Sequence, residues 1–303
     1  MFIFEPLFTI FALLMGGYFA KRVGVLKNRQ SRGFLDFAVI FALPCLIFER
    51  TYYLNFNFLF VIYILIGLCS SLLAGLISVV LGKLFGFSRA TLVSMFLLSS
   101  FGNTLFIGVP IIEGLYEDPQ LISNVIFYDA LATTLPMALF APFVLSLASQ
   151  QKPSLLTNIK KVLSFPPFVA LILGLLCKLV SLPEFILEPI RLFGGAATPT
   201  ALFAIGLGLG FNAIKTSYKS TFIVVSSKML LTPFIFIALI ALCGLEFSPS
   251  AVVAIFESSM PTMSLAVAMV MKAKLDSNLA VSVIAFGVLF AFISMPLLVF
   301  ILI

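Results

Sequence analysis

Ser99-Ser100-Phe101-Gly102-Asn103-Thr104-Leu105-Phe106-Ile107-Gly108-Val109-Pro110 lies inside one apolar run, and Glu257-Ser258-Ser259-Met260-Pro261-Thr262 lies inside another. Each puts small polar residues with glycine or proline into the middle of a stretch that is otherwise long enough to cross a bilayer. Proline removes an amide donor and its ring clashes with the preceding turn, so both runs are expected to divide into half-helices near mid-membrane. A half-helix N-terminus offers free N–H groups and a partial positive charge that suit a carboxylate. A half-helix C-terminus offers carbonyls that suit a sodium ion or a proton donor. The expected substrate-binding residues are Gly102, Asn103, Thr104, Pro110, Ser258, Ser259, Pro261 and Thr262. For one proline alone, a simple kink between packed helices is the plainer reading; a matched pair flanked by small polar residues favours a site.

Working outward, 62% of the 303 residues are hydrophobic and 10% are charged, with a mean hydropathy of +1.22. Soluble domains run nearer half apolar and a quarter charged, which excludes a water-soluble protein. A spanning helix takes about 20 apolar residues. The apolar runs give ten such spans: 2–20, 33–50, 56–82, 90–115, 121–148, 164–181, 188–211, 219–243, 249–271 and 277–302. The expectation is an all-α polytopic membrane protein of ten transmembrane helices with no separate soluble domain.

The surplus of 18 Lys and Arg over 12 Asp and Glu has too little polar surface to build a nucleic-acid face, and reads instead as an orientation signal. Fourteen of the 18 cations fall in the odd-numbered loops, including Lys21, Arg22, Lys83, Lys152, Lys160, Lys161 and Lys272. The even-numbered side carries only Arg50, Lys178 and Arg191, and holds half of the 12 acids: Glu113, Glu117, Asp118, Glu184, Glu188 and Glu246. The odd loops are therefore expected to be cytoplasmic, with both termini on the non-cytoplasmic side of a cell membrane. The first run, Phe2 to Ala20, is followed rather than preceded by its cations and reads as a retained span, not a removed signal.

The two halves echo each other. Pro44 precedes Pro199 by 155 residues, the pairs Asn124/Pro142 and Asn278/Pro296 are offset by 154, and Pro110 precedes Pro261 by 151. Residues 1–150 and 155–303 thus read as two five-helix repeats. An odd number of spans inserts the second copy upside down, the inverted repeat typical of secondary transporters.

Three charges resist assignment to loops: Asp129, Lys228 and Glu257. Each lies roughly 12–14 Å inside its span at 1.5 Å per residue, where a charge costs roughly 2.5–3.5 kcal/mol on insertion scales. Three at comparable depth are expected to face one polar cavity, the alternative being a structural salt bridge between Lys228 and a carboxylate. In a chain with no histidine, a buried carboxylate is the natural proton carrier. Glu257 is expected to couple transport to an ion, with Asp129 as the second candidate. Lys228, with Asn103 and the half-helix amides, is expected to offset the charge of an anionic substrate.

The remaining signals are bland. Cys45, Cys69, Cys177 and Cys243 sit in apolar runs without C-x-x-C spacing and read as apolar filler. Gly206-Leu207-Gly208-Leu209-Gly210 follows no strand and reads as helix packing, not nucleotide binding. Without histidine, a metal-ligand cluster or a Gly-x-Gly-Asp motif, an intramembrane enzyme is not expected. Neither is an organic cofactor or a nucleic-acid partner.

Phe41-Ala42-Leu43-Pro44, Gly102-Asn103-Thr104 with Gly108-Val109-Pro110, Ala197-Thr198-Pro199 with Gly206, and Pro261 together resemble the auxin efflux carrier family of membrane transporters. The resemblance covers essentially the whole chain. It implies the fold shared with bile-acid/sodium symporters: a scaffold from helices 1, 2, 6 and 7, and a transport domain from helices 3–5 and 8–10. In that domain the broken helices 4 and 9 would cross, and elevator-like movement would give alternating access. It further implies a small organic anion as substrate, auxin-like or a dicarboxylate such as malate or malonate. In the symporter relatives an acid before the span-9 break helps bind sodium, a place taken here by Glu257, with Asn103 nearby. Those relatives carry a glutamine where this chain has Pro261, which leaves that sodium site incomplete. The short connection at Gln150–Lys161 implies a compact bacterial inner-membrane member, for which a homodimer is also an expected form. The functional expectation is a secondary active transporter driven by a proton or sodium gradient; the alternative is a channel or a transporter-derived membrane sensor.

Overall fold

The structure is a computed structural model that describes residues 3–54, 58–149, 153–210 and 212–303. Expectations that fall on Phe2, on Phe56 and Phe211 at two span ends, and on Gln150–Lys152 lie outside these residues. Among the described residues every regular element is helical and no strand forms.

Six helices are long and apolar enough to cross a membrane: Asn28–Tyr53, Phe58–Leu84, Pro119–Ser146, Glu184–Gly208, Thr216–Leu242 and Ser277–Leu302. A seventh is made by Leu155–Leu163 and Pro166–Cys177 if that pair, bent by 58°, is one span. The difference from ten has local causes. The first expected span is the 19-residue helix Phe4–Arg22, with Glu5, Lys21 and Arg22 charging its ends. The fourth is interrupted between Arg89–Ser100 and Thr104–Leu115, and the ninth between Pro249–Ser258 and Ser264–Lys272. The 12 residues of Arg89–Ser100 reach about 18 Å, short of a hydrocarbon core about 30 Å thick.

Four wide π turns, Ala38–Ala42, Thr104–Gly108, Asp129–Thr134 and Ser227–Leu231, interrupt the helices. Each is followed at once by an α-helix with proline as its second residue: Pro44, Pro110, Pro136 and Pro233. A proline cannot donate to the carbonyl four residues back and its ring pushes that carbonyl away. One wide turn absorbs the displacement while the chain stays helical. Pro110 therefore does not make the break in the fourth span; the interruption lies earlier, at Phe101–Asn103.

The chain divides into two compact units. One comprises Met1–Phe56, Leu105–Phe127 and Ile159–Leu209; the other comprises Asn57–Thr104, Tyr128–Asn158 and Gly210–Ile303. In the first, Phe4–Arg22 packs backbone to backbone on Ala197–Gly208: a Cβ on Gly17 would fall on the Phe203 carbonyl, and one on Gly206 on the Leu14 carbonyl. This is the close approach that small residues allow between membrane helices, and it gives the glycine run around Gly206 its packing role. The same unit joins charges expected on one membrane side, Arg50 to Glu113 at 2.9 Å and Arg191 to Glu184 at 3.0 Å, and Arg191 also meets Glu49 at 3.0 Å. In the second unit, Phe58–Leu84 buries a face of small residues that includes Gly67, Ser70, Ser71, Ala74, Gly75 and Ser78. That face admits the neighbours that build the polar centre.

Candidate functional site

The second unit holds both interruptions, and they pair with each other. Gly102 and Thr262 form an isolated antiparallel bridge. The Asn103 N–H donates to the Pro261 carbonyl at 2.7 Å and the Met263 N–H to the Phe101 carbonyl at 2.9 Å. Inside a membrane every backbone polar group needs an internal partner, and here each broken segment supplies the other's. The Thr262 hydroxyl reaches further, donating to the Leu98 carbonyl at 2.9 Å.

The helices that run into this crossing end in carbonyls that no later turn can satisfy. In Pro249–Ser258 the hydroxyl of Ser258 donates to the Ile255 carbonyl and that of Ser259 to the Phe256 carbonyl, both at 2.7 Å. The last carbonyl, that of Ser258, accepts from Lys228 Nζ at 2.7 Å. The same ammonium lies 3.4 Å from the carbonyl of Ser100, the last residue of Arg89–Ser100, and 3.4 Å from the Ser71 hydroxyl. Lys228 is 1% exposed and starts from the wide turn Ser227–Leu231. Its ammonium therefore points at two helix C-termini rather than into an open cavity.

Glu257 is fully buried, and neither carboxyl oxygen has a hydrogen-bond partner. It lies within electrostatic range of Asp129 and Lys228. The alternative to a shared cavity, a salt bridge to Lys228, does not form: among the described residues no ion pair within 4.0 Å involves Lys228. Asp129, 3% exposed, is by contrast satisfied, accepting from the Thr104 hydroxyl and from the Thr134 hydroxyl at 2.7 Å.

The structure thus gathers Gly102, Asn103, Thr104, Ser258, Ser259, Pro261, Thr262, Lys228, Glu257 and Asp129 within one unit, while Pro110 belongs to the other. The hydroxyls of Ser258, Ser259 and Thr262 are turned onto backbone carbonyls. Two residues that sequence reasoning did not single out also take part: Ser71, and the buried Tyr128, whose hydroxyls share a hydrogen bond. Their signals were a Ser70-Ser71 pair in an otherwise apolar span and a tyrosine beside an intramembrane aspartate.

Six or seven membrane-length helices, with two more that break and pair around buried charges, define a polytopic membrane protein. The chain belongs to the membrane transport protein family, whose profile matches residues 2–299; this is the auxin efflux carrier family that its motifs resemble. It is similar to an uncharacterized transporter of Methanothermobacter thermautotrophicus, 26% identical over 299 residues that cover 97% of this chain and 96% of the relative. It is similar also to an uncharacterized transporter of Methanocaldococcus jannaschii, 27% identical over 294 residues that cover 92% of each. The lysosomal cholesterol signaling protein of Mus musculus is 25% identical over 257 residues, 76% of this chain but 29% of that longer protein.

Proposed function

We propose that this protein is a secondary active transporter of a small organic anion, auxin-like or a dicarboxylate, that works without enzymatic chemistry. The observation that carries the reading is Glu257: a fully buried carboxylate with no partner, beside the crossing of two broken helices. A permanently charged carboxylate left unpaired in hydrocarbon is costly. A carboxylate that takes up a proton in one conformation and releases it in another is suited to coupling. A sodium ion near Asn103 and Glu257 is the other coupling scheme.

In this reading the ten expected spans form two inverted five-helix repeats; spans 1, 2, 6 and 7 serve as the scaffold and spans 3–5 and 8–10 as the moving domain of an elevator, although Leu105–Phe127, from spans 4 and 5, groups with the first unit. Because Lys228 is engaged by carbonyls, the positive pole for the substrate falls to a half-helix N-terminus. The start of Ser264–Lys272 suits this role: no side chain caps it, and the Ser264 hydroxyl is buried without a partner.

The test is reconstitution into liposomes with mono- and dicarboxylates under separate proton and sodium gradients. Uptake of at least one anion, driven by one gradient and abolished by its collapse, is the expected result. The name of the mouse relative favours a second reading, a membrane sensor, which would bind a ligand without moving it. Ion currents at channel rates would argue for a channel instead.

A further inference from the structure

Lys228 is the element of the centre that the transport reading leaves without a task. Its ammonium touches the terminal carbonyls of both helices that run into the crossing, Ser258 at 2.7 Å and Ser100 at 3.4 Å, and the Ser71 hydroxyl at 3.4 Å. Each helix C-terminus carries about half a unit of negative charge, so two of them facing one point present about one. An ammonium supplies one positive charge and three donors, which equals the number of oxygens it meets. Gly102 leaves room for the stem: a Cβ there would stand 3.0 Å from Lys228 Cε. No carboxylate takes part, since both oxygens of Glu257 are unpartnered and Asp129 is held by two threonines.

We infer that Lys228 is a tethered monovalent cation that fills the place a metal ion would otherwise take between the C-termini of the two broken helices, so that the crossing is held together without sodium. The same oxygens, two backbone carbonyls and a hydroxyl, are ligands that a sodium or ammonium ion accepts once the lysine is removed. The role does not depend on the transport reading: it is structural, and it holds whether or not the chain moves a substrate. It leaves Glu257 as the group free to exchange an ion.

The experiment compares the thermal stability of the purified wild-type protein and of Lys228→Ala at constant ionic strength in sodium, ammonium or N-methylglucamine chloride. The wild type is expected to melt at one temperature in ammonium and N-methylglucamine, and to differ in sodium only by what an ion at Glu257 adds, a shift that Glu257→Gln removes. Lys228→Ala is expected to melt lower in N-methylglucamine, which is too large for the vacated space, and to recover by about 3–8 °C in sodium or ammonium. A variant that ignores all three cations overturns the inference, as does a wild type stabilised by sodium to the same extent as the variant. Should Lys228→Ala not fold, Lys228→Met combined with Glu257→Gln decides the matter, because it deletes the lysine charge together with its nearest unpaired acid. Restored wild-type stability in that double variant would mean that Lys228 serves Glu257, against the inference. Continued loss of folded protein supports the carbonyls as the groups served.

Discussion

Gly102 is set directly against Lys228: a Cβ on Gly102 would lie 3.0 Å from the Lys228 stem and 3.0 Å from the Met260 carbonyl. One of these neighbours is a flexible side chain, but the other is backbone of the facing break, which the Asn103–Pro261 hydrogen bond holds close at 2.7 Å. Gly102→Ala is therefore expected to push the two breaks apart and to cost about 1–3 kcal/mol, read as a lower melting temperature. Gly33→Ala, where nothing lies within 4 Å, is the control. In the helix Ser31–Phe37 it is expected to be neutral or to gain about 0.5–1 kcal/mol.

Glu257 makes the opposite prediction. A buried carboxylate that accepts no hydrogen bond gives the folded state nothing that a neutral amide of the same shape would forfeit. Glu257→Gln is expected to insert normally and to melt at or above the wild-type temperature. Its uptake in liposomes is expected to lose dependence on the driving gradient. Unchanged gradient dependence in this variant would remove Glu257 from the coupling role.

How much of this centre could be read from the chain differs by residue. The two breaks were legible, since glycine, proline and small polar residues interrupt apolar runs that otherwise need none. The position of the first was not: Pro110 drew the reading, yet the chain opens at Gly102, because pairing with Thr262 decides the point and pairing is a long-range fact. The intramembrane charges were legible by their cost, but not their partners. Lys228 faces backbone carbonyls, and a sequence carries no mark of where a carbonyl is left unsatisfied. The wide turns lay between these cases: Pro136 and Pro233 stand where they can be seen, but only the fold shows a widened turn before each.

Asp129 bridges two wide turns, accepting from Thr104 at the start of one and from Thr134 at the end of its own. Each hydroxyl satisfies one carboxyl oxygen, so removing either leaves a buried acceptor open. Thr104→Val is expected to cost about 1–3 kcal/mol. Asp129→Asn should be less damaging alone, because the amide keeps one acceptor for one of the two hydroxyls. A double-mutant cycle on denaturant unfolding should give a coupling of about 0.5–3 kcal/mol between positions 104 and 129. A coupling of zero would show that the link contributes nothing to holding Thr104 in place.

Pro233 tests whether proline causes the wide turn that carries Lys228. By helix propensity alone, Pro233→Ala should stabilise the helix Thr232–Leu242 by as much as about 3 kcal/mol. Restoring the amide, however, lets residues 227–231 tighten from π to α geometry. In an α-helix one residue subtends about 100°, so a change in register there swings Lys228 away from the Ser258 and Ser100 carbonyls. The expected outcome is a lower melting temperature despite the better helix former, with slower amide exchange across 227–231 as that turn tightens. Pro296→Ala is the comparison, because Pro296 lies inside the continuous helix Ser277–Leu302, which carries no wide turn. There the same exchange of residues should leave stability equal or higher. If both variants gain equally, the wide turn at 227–231 owes nothing to Pro233, and Lys228 is aimed by packing alone.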